Sequence, residues 1–192
     1  MSFKDQFIEI FEREVKREGA NKMLDYLKNT DFFKAPASTR FHLAREQGLC
    51  EHSLNVYFRL KELVANEKTE WAKSVSDETI AIVALLHDVC KIDMYAVDYR
   101  NVKQPDGSWE KVPYYTIDEK MPYGHGEKSV YIVNGFMRLT REEAMCINWH
   151  MGGFDDRVKG GSMVIARAYS QYPLAVLLHI ADVMASYLDE ER

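Results

Sequence analysis

The chain has 192 residues, 46% of them hydrophobic, and a formal net charge of -5. That is enough apolar material for one well-packed core and too little length for two domains of ordinary size, so one domain over residues 1–192 is expected. The acidic balance excludes a protein that grips long duplex nucleic acid through many phosphates, and leaves small anionic molecules or short single strands as ligands.

Phe3, Phe7, Ile10, Phe11 and Val15 recur at helical spacing and predict an amphipathic helix over 3–18, ended by Gly19. The stretch ANKMLDYLKNT predicts a second helix, and FFKAPASTR, broken at Pro36, a connector. Residues 1–35 thus form N-terminal helices leading into a core over 36–192. Helical spacing returns from Gln47 to Asn66 and from Ser76 to Asp88, with Ser76 as N-cap and Asp77 and Glu78 in the first turn. Between Met94 and Pro122 the chain becomes rich in Tyr, Val and Trp around Pro105-Asp106-Gly107, which predicts a β-hairpin near residues 94–117. Helical pattern resumes over 127–138, Thr140 and Glu143 have capping-box spacing, and Pro173 opens a last helix, LAVLLHIADVMASYL. The expected fold is all-α, a helical bundle with one inserted hairpin.

No stretch approaches the ~18 apolar residues of a membrane span, and the N-terminus lacks the apolar core of a signal peptide. Cys50, Cys90 and Cys146 are odd in number and widely spaced, which indicates neither a disulfide framework nor a thiolate zinc site. A cytoplasmic protein with reduced, buried thiols and no membrane partner is expected.

The chemistry concentrates in histidines at the breaks and ends of apolar helices. LLHDVCK places His87 and Asp88 directly after the apolar run 80–86, where an ionised carboxylate needs a cation, a metal or a hydrogen-bond network. His52 in GLCEHSL, His125 in YGHGEKS, His150 in NWHMGG, and Asp182 in LLHIADV follow the same habit. This ordered set, H, HD, H, H, D, resembles the HD-domain superfamily of metal-dependent phosphohydrolases in its binuclear form. The resemblance runs from about Pro36 to Leu188 and is similar in local context to the HD domain of 3'-to-5' exoribonucleases, through APASTRFHLAREQGLCEHSL, LLHDVCK, GHGEKS, WHMGGFDDRVKGGS and LLHIADVMAS.

The resemblance implies that His52, His87, Asp88, His125, His150 and Asp182 are metal ligands, with Asp88 bridging two divalent transition-metal ions. The mixed nitrogen and oxygen donors suit Mn, Fe, Co, Ni or Zn better than a calcium cage. It also implies a catalytic pairing of Asp88 with Lys91, and hydroxide shared by the two ions as nucleophile on a phosphoester or phosphodiester of a nucleotide, cyclic nucleotide or short oligonucleotide. Lys91, three residues beyond Asp88, is a phosphate-contacting cation in this reading, and Lys128 and Arg157 are further phosphate contacts. Tyr95, with Tyr99, Trp109, Tyr114, Tyr115 and Tyr123, is placed to recognise a base by stacking. His179, three residues before Asp182, is expected behind the ligands, and His42 is expected to be structural. The same ligand order also resembles the mixed-valent di-iron oxygenases of this superfamily, and a non-catalytic nucleotide-binding module is the third possibility. The exoribonucleases carry a further nucleic-acid-binding domain for which 192 residues leave no room, so the expected partner is a small phosphorylated molecule, with oligomeric state left open.

Overall fold

The computed structural model describes residues 1–191. In chain order its helices are α1 (Phe3–Glu14), α2 (Ala20–Asn29), α3 (Gly48–Asn66), α4 (Glu70–Lys73), α5 (Asp77–Leu86), α6 (His125–Asn134), α7 (Arg141–Trp149), α8 (Asp156–Lys159), α9 (Val164–Gln171) and α10 (Leu174–Met184). The antiparallel strands β1 (Tyr95–Lys103) and β2 (Trp109–Ile117) lie between α5 and α6. Short 3-10 turns follow α5 and α7, and a π-helical turn, Ala185–Asp189, continues α10. Among the described residues no helix is long and apolar enough to cross a membrane.

Helices α3, α5, α7 and α10 pack in a closed ring, α3 on α5, α5 on α7, α7 on α10 and α10 on α3. The ring is possible because α5 is apolar on every side: Ile80 through Leu86 are all buried. A helix with no polar face must be surrounded, and its neighbours supply the cover. Helix α1 closes the remaining side against α3 and α5, carrying Phe7 into edge-to-face contact with Phe32 and Phe33 at centroid distances of 5.1 and 5.4 Å.

Local signals set several boundaries. Ser76 accepts from the Thr79 amide at 3.1 Å to start α5, and Thr140 and Glu143 form a reciprocal capping box that starts α7. The first helix departs from its periodicity. It ends at Glu14, with Val15 extended, because the Glu78 carboxylate accepts from the amides of Lys16 and Arg17 at 2.8 and 3.0 Å and draws the chain off the helix axis. Gly19, at φ 89°, opens α2 instead of closing α1; a Cβ there would stand 2.0 Å from the Phe136 carbonyl oxygen. The helix expected over 127–138 begins earlier, at His125, and stops at Asn134, whose side chain accepts from the Leu139 amide.

Glu143, wholly buried, joins three elements. It accepts from Arg17 Nη1 and Nη2 at 2.7 and 2.8 Å, from Thr79 Oγ1 at 3.0 Å and from the Thr140 amide at 2.8 Å. Replacing it with alanine removes the side-chain half of the capping box and leaves the Arg17 guanidinium its contacts to the Arg138 carbonyl, 3.1 Å, and to Glu78, 3.2 Å. The expected cost is roughly 3 kcal/mol, or a Tm fall of about 6–12 °C by calorimetry; a shift under about 2 °C would contradict the assignment.

Candidate metal centre

The ring of helices brings six polar side chains to one place. His52 comes from the second turn of α3, His87 caps α5, and Asp88 begins the turn that follows. His125 is the first residue of α6, His150 caps α7, and Asp182 lies near the end of α10. Helix ends place these groups inside an otherwise apolar core without breaking a helical face. His87, Asp88, His150 and His52 are at most 2% exposed. Donor atoms of His52, His87 and Asp182 lie within 4.8 Å of one another, as do those of His87, Asp88 and His150, and of Asp88, Cys90 and His125.

Asp88 is the hub. Its Oδ1 stands 2.7 Å from His125 Nε2 and 3.4 Å from His150 Nε2, and its Oδ2 2.6 Å from Lys91 Nζ, 3.5 Å from His87 Nε2 and 3.6 Å from His52 Nε2. Burial works against its charge, but Lys91 and the histidines outweigh burial and hold the carboxyl well below the usual range. Lys91 reaches Asp88 through a 3-10 turn (Val89–Lys91) and not through a continuing α-helix, since α5 ends at Leu86. Three-residue periodicity stacks residues i and i+3, which sets the ammonium over the carboxylate.

Each ring is oriented from behind. His87 Nδ1 donates to the Ala84 carbonyl at 2.7 Å, and His150 Nδ1 to that of Ile147 at 2.6 Å, so the Nε2 atom of each is left bare toward the centre. His52 Nδ1 is held by Glu190, at 2.9 and 3.2 Å from its two oxygens. The bare nitrogens of His52 and His87 then face each other at 3.2 Å. Two lone pairs repel at that distance unless a cation lies between them. His150 Nε2, buried, has no hydrogen-bond partner among the described residues. Burial drives the His150 pKa down, which keeps that nitrogen bare. Burial also disfavours charge on His52, yet the Asp182 and Glu190 carboxylates beside its two ring nitrogens push its pKa up to about 10: they draw in positive charge, which a proton or a metal ion can supply. An orphaned imidazole, opposed lone pairs and carboxylates rich in negative potential form a donor set that fits divalent transition metals.

Of the remaining expected residues, Tyr95 packs beside Lys91 with its hydroxyl donating to the Ala37 carbonyl at 3.2 Å, and burial raises its pKa to about 12. Lys128 is paired with Glu119 at 2.8 and 3.0 Å. Arg157 is held by Asp155 and Glu127 and lies 3.9 Å over the Trp149 ring. Both cations border a cavity of about 360 Å³ that opens beside His125, Met94 and Tyr123. Tyr123 stands outside the hairpin, stacked on Tyr131. Larger clefts lie around Gly19, around Tyr131 and around Leu139, and contain none of the six clustered residues.

His179 supports His150 through the backbone, its Nδ1 donating to the His150 carbonyl at 2.7 Å. Gly152, at φ 55°, makes room for that ring, for a Cβ there would come within 2.3 Å of His179 Cε1. Gly152→Ala is expected to cost at least about 1–2 kcal/mol of left-handed strain and to lower metal content together with Tm, read by elemental analysis and calorimetry. Unchanged metal content would separate this turn from the cluster. Glu190 and Cys90 were not anticipated. Cys90 Sγ lies 3.4 Å from His125 Nε2, and Glu190 sits in the charged tail LDEER, where no periodicity or motif distinguishes it.

A family model for the HD domain matches residues 49–186, so the chain belongs to the HD domain family. The family is generally one of metal-dependent hydrolases, and its domains bind divalent metals. Searches of curated proteins and of solved structures find no significant match.

Proposed function

We propose that the protein is a metal-dependent phosphohydrolase that cleaves a phosphoester or phosphodiester bond of a nucleotide, cyclic nucleotide or short oligonucleotide. The observation that carries this reading is the convergence of bare imidazole nitrogens and buried carboxylates around Asp88, with an ammonium on the same carboxylate. His52, His87, Asp88 and Asp182 would hold one divalent transition-metal ion, and Asp88, His125 and His150 a second. When bound, the ions supply Lewis acidity toward phosphoryl oxygen and water of lowered pKa.

The chain's own groups do the rest. Asp88 keeps its charge and anchors the largely buried Lys91 ammonium, which engages one of its three donors there and can offer the others to phosphoryl oxygen. His125, the most exposed of the four histidines in the set, faces the cavity, so a phosphate entering there meets His125 first. Lys128 and Arg157 add positive potential to the cavity wall and reach a phosphate by exchanging carboxylate partners. Tyr95 braces Lys91 from the hairpin side.

Protein purified without chelator and assayed with Mn against a chromogenic phosphodiester, cyclic nucleotides, mononucleotides and short oligonucleotides is expected to hydrolyse at least one class and to lose that activity in EDTA. Metal-loaded protein inert across the panel would overturn the proposal, as would retained iron with substrate-dependent oxygen uptake.

A further inference from the structure

The hairpin is nine residues long on each strand and pairs from Tyr95↔Ile117 at its root to Lys103↔Trp109 at its tip, a reach of ~26 Å. Its two faces differ in charge. One carries Tyr95, Val97, Tyr99, Asn101 and Lys103 opposite Ile117, Tyr115, Pro113, Lys111 and Trp109. The other carries Ala96, Asp98, Arg100 and Val102 opposite Thr116, Tyr114, Val112 and Glu110. The first face therefore has two lysines and no acid, in a chain whose net charge is -5. It is also the aromatic face left open to solvent: Trp109 is 68% exposed and Tyr99 54%, with Lys111 Nζ 5.1 Å from the Tyr99 ring centroid. At the root the same face turns onto the body, where Tyr95 packs on the hydrophobic core. The root also touches the cluster's surroundings, since the Asp118 amide donates to the Met94 carbonyl at 2.8 Å and Met94 lines the cavity beside His125.

We infer that this face is a binding platform for single-stranded nucleic acid, with bases stacking on Tyr99 and Trp109, phosphates meeting Lys103 and Lys111, and the strand running along the hairpin to the cavity at His125. Flat aromatic rings interleaved with cations are the arrangement that holds single strands without reading their sequence. A second copy of the chain is the competing occupant, but two such faces brought together would oppose lysine to lysine, whereas an oligonucleotide neutralises both. The inference depends on the phosphohydrolase reading for what happens to the strand and not for its capture.

The test is fluorescence anisotropy of the full chain with labelled ten-nucleotide oligo-dT and oligo-U in EDTA, where cleavage cannot intervene. Binding is expected, weakened at least roughly tenfold in the Tyr99→Ala/Trp109→Ala double variant. In Lys103→Gln/Lys111→Gln, whose fold is less at risk, the slope of log affinity against log salt is expected to flatten by about 1.4. No binding, or binding indifferent to both variants, overturns the inference. So does concentration-dependent dimerisation of the parent chain that Trp109→Ala abolishes in sedimentation, which would give the face to a second copy. Hydrolysis of a chromogenic phosphodiester without strand binding defeats this inference alone; strand binding by a metal-loaded but inert chain defeats the hydrolase and leaves the platform standing.

Discussion

Asp88→Asn is expected to purify with less than about a tenth of the metal of the parent chain and to lose activity by more than the 10–100-fold that loss of an outer partner costs. The substitution keeps the shape of the side chain and removes its charge, so the change in metal content reads electrostatics and not packing. Five cationic or nitrogen donors point at this one carboxylate, and four of them approach it at 3.5 Å or less. Without the charge, Lys91 is left almost buried with no anion. Breaking a buried pair on one side costs about 3–5 kcal/mol, on the order of 10 °C in Tm for a chain of this length. The double variant Asp88→Asn/Lys91→Met removes the stranded ammonium and is expected to regain much of the Tm while staying metal-poor. Elemental analysis and calorimetry on the same preparations separate the two effects. Normal metal content in Asp88→Asn would show that the ions, if any, lie elsewhere.

What could be read before folding was what local chemistry dictates. A histidine and an aspartate after seven apolar residues have few ways to be buried, and Ser76 and Thr140 mark helix starts through bonds that span three residues. What escaped was set by distant partners. Helix α1 stops at Glu14 because of Glu78, 62 residues beyond Lys16, and no periodicity within α1 carries that information. Lys91, three residues beyond Asp88, arrives over the carboxylate by a 3-10 turn and not by a continuing α-helix, because α5 ends where its apolar run ends. Lys128 and Arg157 stand out in sequence as free cations, yet each finds carboxylates in the fold, and only the tertiary arrangement of Glu119, Glu127 and Asp155 reveals them.

Glu190 is the sharpest instance of such a distant partner. Its side chain is fully buried and accepts from His52 Nδ1, from His42 Nδ1 at 2.5 Å and from Asn55 Nδ2 at 3.0 Å. The Glu191 carbonyl next to it accepts from the Leu43 amide at 3.1 Å, which fastens the tail to the segment before α3. Because a carboxylate can only accept, Glu190 forces the proton of His52 onto Nδ1 and turns Nε2 toward Asp182, 3.3 Å away. His42, expected to be structural, shares that carboxylate and fixes its angle. Glu190→Ala is therefore expected to weaken metal affinity by about 10–100-fold, measured by competition with a chromogenic chelator. Glu190→Gln retains one acceptor oxygen for His52 and should recover part of the loss, while a role limited to packing would let glutamine recover all of it. Unaltered affinity in Glu190→Ala would mean that His52 is oriented by α3 alone, and would detach the tail from the chemistry of the cluster.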